Sequence, residues 1–117
     1  MTDKTPAQLA LTADNAIRAL NHAILGTQAD WEYPGDAYDV VGNLAHMAGM
    51  LPQALDQVAQ LLKRLEGEDH LKSDRGSLAA DLAAAYDGLT IAAGAADTLR
   101  GALDRAQQGL GSVAYKE

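Results

Sequence analysis

The chain has 117 residues, 48% of them apolar, which fits one folded domain and is too rich for a disordered chain. Its 16 carboxylates against 9 bases leave a net charge of −7, which gives no electrostatic footprint for nucleic acid and opposes adsorption to anionic membranes. There is no cysteine, so disulfides, thiolate zinc sites and thiol chemistry are excluded within these residues.

The apolar residues are mostly Ala and Leu, with no Phe, one Trp and four Tyr. Both Ala and Leu favour helix, and the scarcity of β-branched residues argues against sheet. This Ala-, Gly-, Leu- and Asp-rich composition suggests a high-GC bacterial source. Residues 1–16 lack an apolar segment behind a basic region, so no secretory signal is expected and the cytoplasm is the expected location. The longest weakly charged stretch, Leu82–Ala96, is interrupted by Asp87 and is mostly Ala and Gly, so no membrane span is expected.

The first helix announces its start. Thr5-Pro6-Ala7-Gln8 reads as a capping box, with Thr5 as N-cap, Pro6 at the first helical position and Gln8 reaching back. Leu9, Ala13, Ala16, Leu20 and Ala23 form one apolar stripe, and Ala10, Ile17 and Ile24 lie beside it. Gly26 is the expected stop, giving a helix over about 5–25.

Residues 26–35 read as a loop, because Tyr33 precedes Pro34 and is pushed towards an extended conformation. Asp36 is the expected N-cap of a second helix over about 36–66. Its apolar positions Ala37, Val41, Leu44, Ala48, Leu51, Leu55, Val58, Leu62 and Leu65 alternate spacings of 4 and 3, and Val40, Met47, Ala54 and Leu61 flank them. Pro52 lies inside this run and Gly49 one turn earlier. The heptad keeps its phase, so one helix kinked near Pro52 is expected rather than two.

After a polar link capped by Ser73 or Asp74, a third helix is expected over about 74–113. Leu78, Leu82, Ala85, Leu89, Ala92, Ala96, Leu99, Leu103, Ala106, Leu110 and Val113 keep the same alternation, the mark of coiled-coil-like packing. The fold expected is therefore all-α, a single domain over 1–117 forming an elongated up-down-up three-helix bundle. At 1.5 Å per residue the helices span roughly 30, 45 and 55 Å, so the first cannot cover the whole hairpin formed by the other two. The uncovered end calls for a partner helix, most simply from a second copy of the chain in a C2 homodimer.

No arrangement of residues points to catalysis. His22, His46 and His70 form no His-Glu-x-x-His or Glu-x-x-His motif, and His46 reads as a partly buried structural residue. Walker spacing and a Gly-x-Ser-x-Gly elbow are absent. No catalytic residue, metal or cofactor is expected, and the chain is not expected to be an enzyme.

Three of the five aromatic residues, Trp31, Tyr33 and Tyr38, fall within eight residues. They form either a contact patch for a partner or a plug at the end of the bundle. With Leu55, Val58, Leu62, Leu65, Leu78, Leu82 and Tyr86 at the uncovered end, they are the candidate interaction residues. The small, acidic, helical character resembles the Trp-x-Gly family of secretion substrates. However, Trp31 is followed by Glu32 and Tyr33, the glycine comes only at Gly35, and Tyr115 is followed only by Lys116 and Glu117, so membership is not assigned.

The expected function is a non-enzymatic helical interaction protein that self-associates through the long hairpin. A small acidic inhibitor or immunity-type protein from a bacterial mobile element or phage, and a helical bundle that binds a small molecule, are the alternatives.

Overall fold

Three helices and no strands make up the computed structural model, which describes residues 3–25 and 34–116: α1 (Pro6–Leu25), α2 (Pro34–Gly67) and α3 (Leu78–Leu110). The class, the number of helices and the elongated shape match the sequence expectation.

The helix ends follow from local chemistry. The capping box of α1 forms: Thr5 N donates to Gln8 Oε1 at 2.8 Å, and Gln8 N donates to Thr5 Oγ1 at 3.2 Å. The second helix starts at Pro34, so Asp36 lies inside its first turn rather than at the N-cap. There its charge faces the positive end of the helix dipole. The helix is continuous across Pro52. Asp69 stops it in the left-handed region (φ 59°), and His70 N donates back to Leu65 O at 2.9 Å.

The third helix begins at Leu78, later than expected, because residues 73–77 make a separate polar turn. Ser73 Oγ donates to Asp81 Oδ2 at 2.5 Å, the Arg75 guanidinium meets Asp81 Oδ1 at 2.6 Å, and Ser77 Oγ donates to the same oxygen at 3.3 Å. Gly76 takes φ 70°, a conformation that favours glycine. Asp81, one turn into α3, thus gathers the turn onto the helix.

Packing between helices is confined to α2 and α3, which run antiparallel. Tyr38 lies beside Gly111, Gln107 over Gly42, Arg100 over Gly49, and Tyr86 donates to Glu66 Oε1 at 3.2 Å. The seam between the helices is rotated from the expected one. On α2 it consists of Val41, Ala45, Ala48, Pro52, Leu55, Ala59 and Leu62. On α3 it runs through Leu82, Tyr86, Leu89, Ala93 and Ala96 to Leu103, Gln107 and Leu110. Every second expected position is kept. The others are replaced by the next residue along the chain, such as Ala45 for Leu44, Ala59 for Val58 and Ala93 for Ala92.

The hairpin therefore meets through alanines interleaved with leucines. Among the described residues only Ala45, Ala48, Leu82 and Ala96 are buried. Helix α1 contacts neither α2 nor α3, and its Leu9 and Leu11 are each 55% exposed.

The size of the chain makes the consequence plain. Its radius of gyration is 19.2 Å, where a compact chain of this length has about 13 Å. Its accessible surface is 9072 Å², against about 6,000 Å² for a compact monomer of the same mass.

Candidate interaction surface

The antiparallel hairpin has two long sides, and they differ in chemistry. On the first, Asp56, Lys63 and Thr90 rim a shallow groove of about 250 Å³ floored by Leu55, Ala59 and Leu89. Lys63 Nζ sits 5.4 Å from the centre of the Tyr86 ring, a cation–π distance. Further along, Arg100 and Gln107 reach across Gly49 and Gly42, where a Cβ on either glycine would collide with their side chains. Arg100 Nε also faces Asp104 Oδ2 at 3.6 Å. This side is filled by the chain's own long polar side chains.

Burial and the adjacent Glu66 carboxylate push the Tyr86 phenol up from its usual pKa, so it stays protonated and is a poor base. Asp81 moves the other way. The Ser73 hydroxyl, and after it Arg75 and Ser77, hold its carboxyl below the usual range against a smaller opposing effect of burial. It acts as a structural cap, remote from any cavity. No group of three or more His, Asp or Glu among the described residues could hold a metal ion. His46 is exposed, not partly buried as expected, because the rotation of the seam turns it to solvent. No helix among the described residues is long and apolar enough to cross a membrane.

The second side carries what the seam leaves out. On α2 these are Val40, Leu44 and Met47, which are half-buried, and Leu51, Ala54, Val58 and Leu61, which are exposed. Val58 is 46% and Leu61 45% exposed. On α3 the corresponding positions are Ala85, Gly88, Ala92, Ala95, Leu99, Ala102 and Ala106, nearly all small. Just outside them, Met50 is 54% and Ile91 64% exposed. All these residues are uncharged, and the charges of the same stretches, Asp56, Asp87, Asp97, Arg100, Asp104 and Arg105, occupy other faces of the helices. The side is thus a continuous apolar surface, one half ridged by large aliphatic side chains and the other half nearly flat.

The sequence-derived candidates divide between these environments. Leu82 is 8% exposed, and Leu55 and Leu62 also belong to the seam, so all three hold the hairpin together. Leu65 and Leu78 are half-buried near the closed end, and Tyr86 belongs to the polar side. Val58 alone of the set lies on the open apolar side. Tyr38, 39% exposed, lines a shallow pocket with Leu110, Gly111 and Val113 at the other end of the hairpin. Trp31 and Tyr33 lie outside the described residues. Sequence reasoning took Leu51 for a core position and did not name it as a candidate. The flanking stripe of Val40, Met47, Ala54 and Leu61 was the available signal, since a helix packed on one neighbour needs no second apolar stripe.

Compared with protein-family models, curated proteins and solved structures, the chain matches none.

Proposed function

We propose that this chain is a non-enzymatic interaction protein that works as a self-associated helical assembly, with the open apolar side of the α2–α3 hairpin as its contact surface. The observation that carries this reading is a long uncharged face on a hairpin in which only four of the described residues are buried. A soluble chain gains by removing such a face from water, and large exposed apolar patches mark interaction sites. The absence of cysteine suits a reducing compartment, and the reading assigns the chain to the cytoplasm. The small-molecule alternative has less support, since the polar groove is shallow and its polar groups pair with one another.

Light scattering on a size-exclusion column tests the proposal. The expected mass is twice the 12.2 kDa of one chain. Because the face is uncharged, the mass should hold between low and high salt. A 12.2 kDa particle at every concentration would sink the reading. An assembly that dissolves in salt would instead favour contacts through the acidic surface, as an inhibitor of a basic protein would make.

A further inference from the structure

Resting on that reading, the geometry points to a specific pairing: we infer that a second copy covers the open side, related by a two-fold axis parallel to the helices, so that α2 of each copy lies on α3 of the other.

Three observations select this occupant and this axis. The first is size. The face has a ridge of large side chains on α2 and a nearly flat stripe on α3. A two-fold axis along the helices sets ridge on flat twice. A two-fold axis across the helices sets ridge on ridge and flat on flat, and packs neither.

The second is register. Within the hairpin, Gly42 lies level with Gln107, Gly49 with Arg100, and Lys63 with Tyr86. Rotation about an axis parallel to the helices keeps every residue at its own height. The same register therefore places Leu61 over Gly88 of the second copy, Val58 over its Ala92, and Met47 over its Ala102. Apart from Leu51, which meets Leu99, these large residues meet small ones with no sliding, and all neighbouring helices are antiparallel, as in an up-down bundle.

The third is charge and area. Two chains of net charge −7 repel, yet the facing stripes carry no charge, so they can meet without burying a carboxylate. From Val40 to Leu61 the face is roughly 30 Å long and, for two helices 8–10 Å apart, about 18 Å wide. Two such faces bury on the order of 1,100 Å², above the roughly 1,000 Å² that a specific interface needs.

Single-cysteine variants of the full chain test the arrangement, and the absence of native cysteine makes the readout clean. Val58→Cys and Ala92→Cys are prepared separately, mixed under mild oxidation after exchange of subunits, and run on a non-reducing gel. The mixture should give a covalent dimer containing one of each chain, while each variant alone stays uncrosslinked. Leu44→Cys with Ala106→Cys repeats the test one end of the face away, should either first variant fold poorly. Crosslinking of Val58→Cys with itself would put α2 on α2 and overturn the axis. A dimer by light scattering whose mixtures crosslink at neither pair would overturn the arrangement and leave self-association standing. A monomer at all concentrations would overturn self-association itself and leave the face to α1 or to a different protein. Independently, Ala95→Leu should weaken the dimer at least tenfold in Kd, because the stripe has to stay flat; an unchanged Kd would count against close approach there.

Discussion

The two long sides of one hairpin show two ways of treating the same exposed edge. On the side of Tyr86 the chain closes the edge with its own side chains. Arg100 and Gln107 lie over Gly49 and Gly42, and Tyr86 ties Lys63 and Glu66 to α3. On the side of Val58 no hydrogen bond or ion pair among the described residues joins α2 to α3, and Leu51, Val58 and Leu61 are exposed there. Both sides are built from the same two helices in the same register. The difference lies only in which residues the heptads assign to each, so substitutions on one side should act on association and those on the other on the fold alone.

The largest effect should come from placing a charge on the open side. Val58→Asp would bury an unpaired carboxylate twice in a symmetric dimer, at a cost of about 3 kcal/mol or more, enough to shift Kd by at least about 100-fold. Asp56→Asn, two residues away but on the polar side, should leave Kd unchanged. Sedimentation equilibrium on both variants checks this contrast, and equal effects would dissolve the distinction between the sides.

Overfilling the flat stripe should come next. Ala92→Leu adds volume where a second backbone has to approach, which costs about 1–3 kcal/mol per site in a packed interior. On a free surface the same change is nearly neutral. Titration of dimer fraction against concentration separates the two cases.

Glycine replacements sharpen the comparison at smaller scale. A Cβ at Gly88 or Gly94 meets nothing within the chain. Each Gly→Ala change should therefore stabilise α3 by about 0.5–1 kcal/mol, read as a higher melting temperature. Gly94 points away from both sides, so its gain should come without loss of association. Gly88 lies on the stripe, so Gly88→Ala should stabilise the hairpin and weaken the dimer together.

Much of this was legible in the sequence, and the part that was not has a physical reason. The capping box at Thr5 and Gln8 and the continuity of α2 through Pro52 follow from local rules and strict heptad phase, and both are present. The seam differs from the expected one by one residue at alternate positions. On α2 this brings Ala45 and Ala59 inward in place of Leu44 and Val58, and on α3 it brings Tyr86 and Gln107 in place of Ala85 and Ala106, so the turn of one helix about the other, which heptad spacing leaves open, sets it. Gly49 reads in sequence as a site for a bend. Its place beneath Arg100 depends on a residue far along the chain, which no local pattern announces. The same distance hides the role of Asp81, whose partners Ser73, Arg75 and Ser77 look in sequence like alternative helix caps.

That polar turn carries the smallest expected effect, one independent of either side. Ser73, Arg75 and Ser77 all favour the ionised Asp81 in the folded chain, so its pKa lies below that of an ordinary aspartate. A carboxyl depressed on folding contributes stability that is fully present above the unfolded pKa and is lost as pH falls through the folded one. The stability of the chain should therefore fall below about pH 4 partly through this group. Asp81→Asn should flatten that acid limb while lowering stability at neutral pH, where the ion pair with Arg75 is removed. Chemical denaturation between pH 2.5 and about 7 reads both changes. Because the group is solvent-accessible the shift should be modest, and it should be the same at concentrations where the chain is monomeric and where it is dimeric. A pH effect of Asp81→Asn that appeared only in the dimer would mean that the turn touches the second copy, and would extend the contact surface to the closed end of the hairpin.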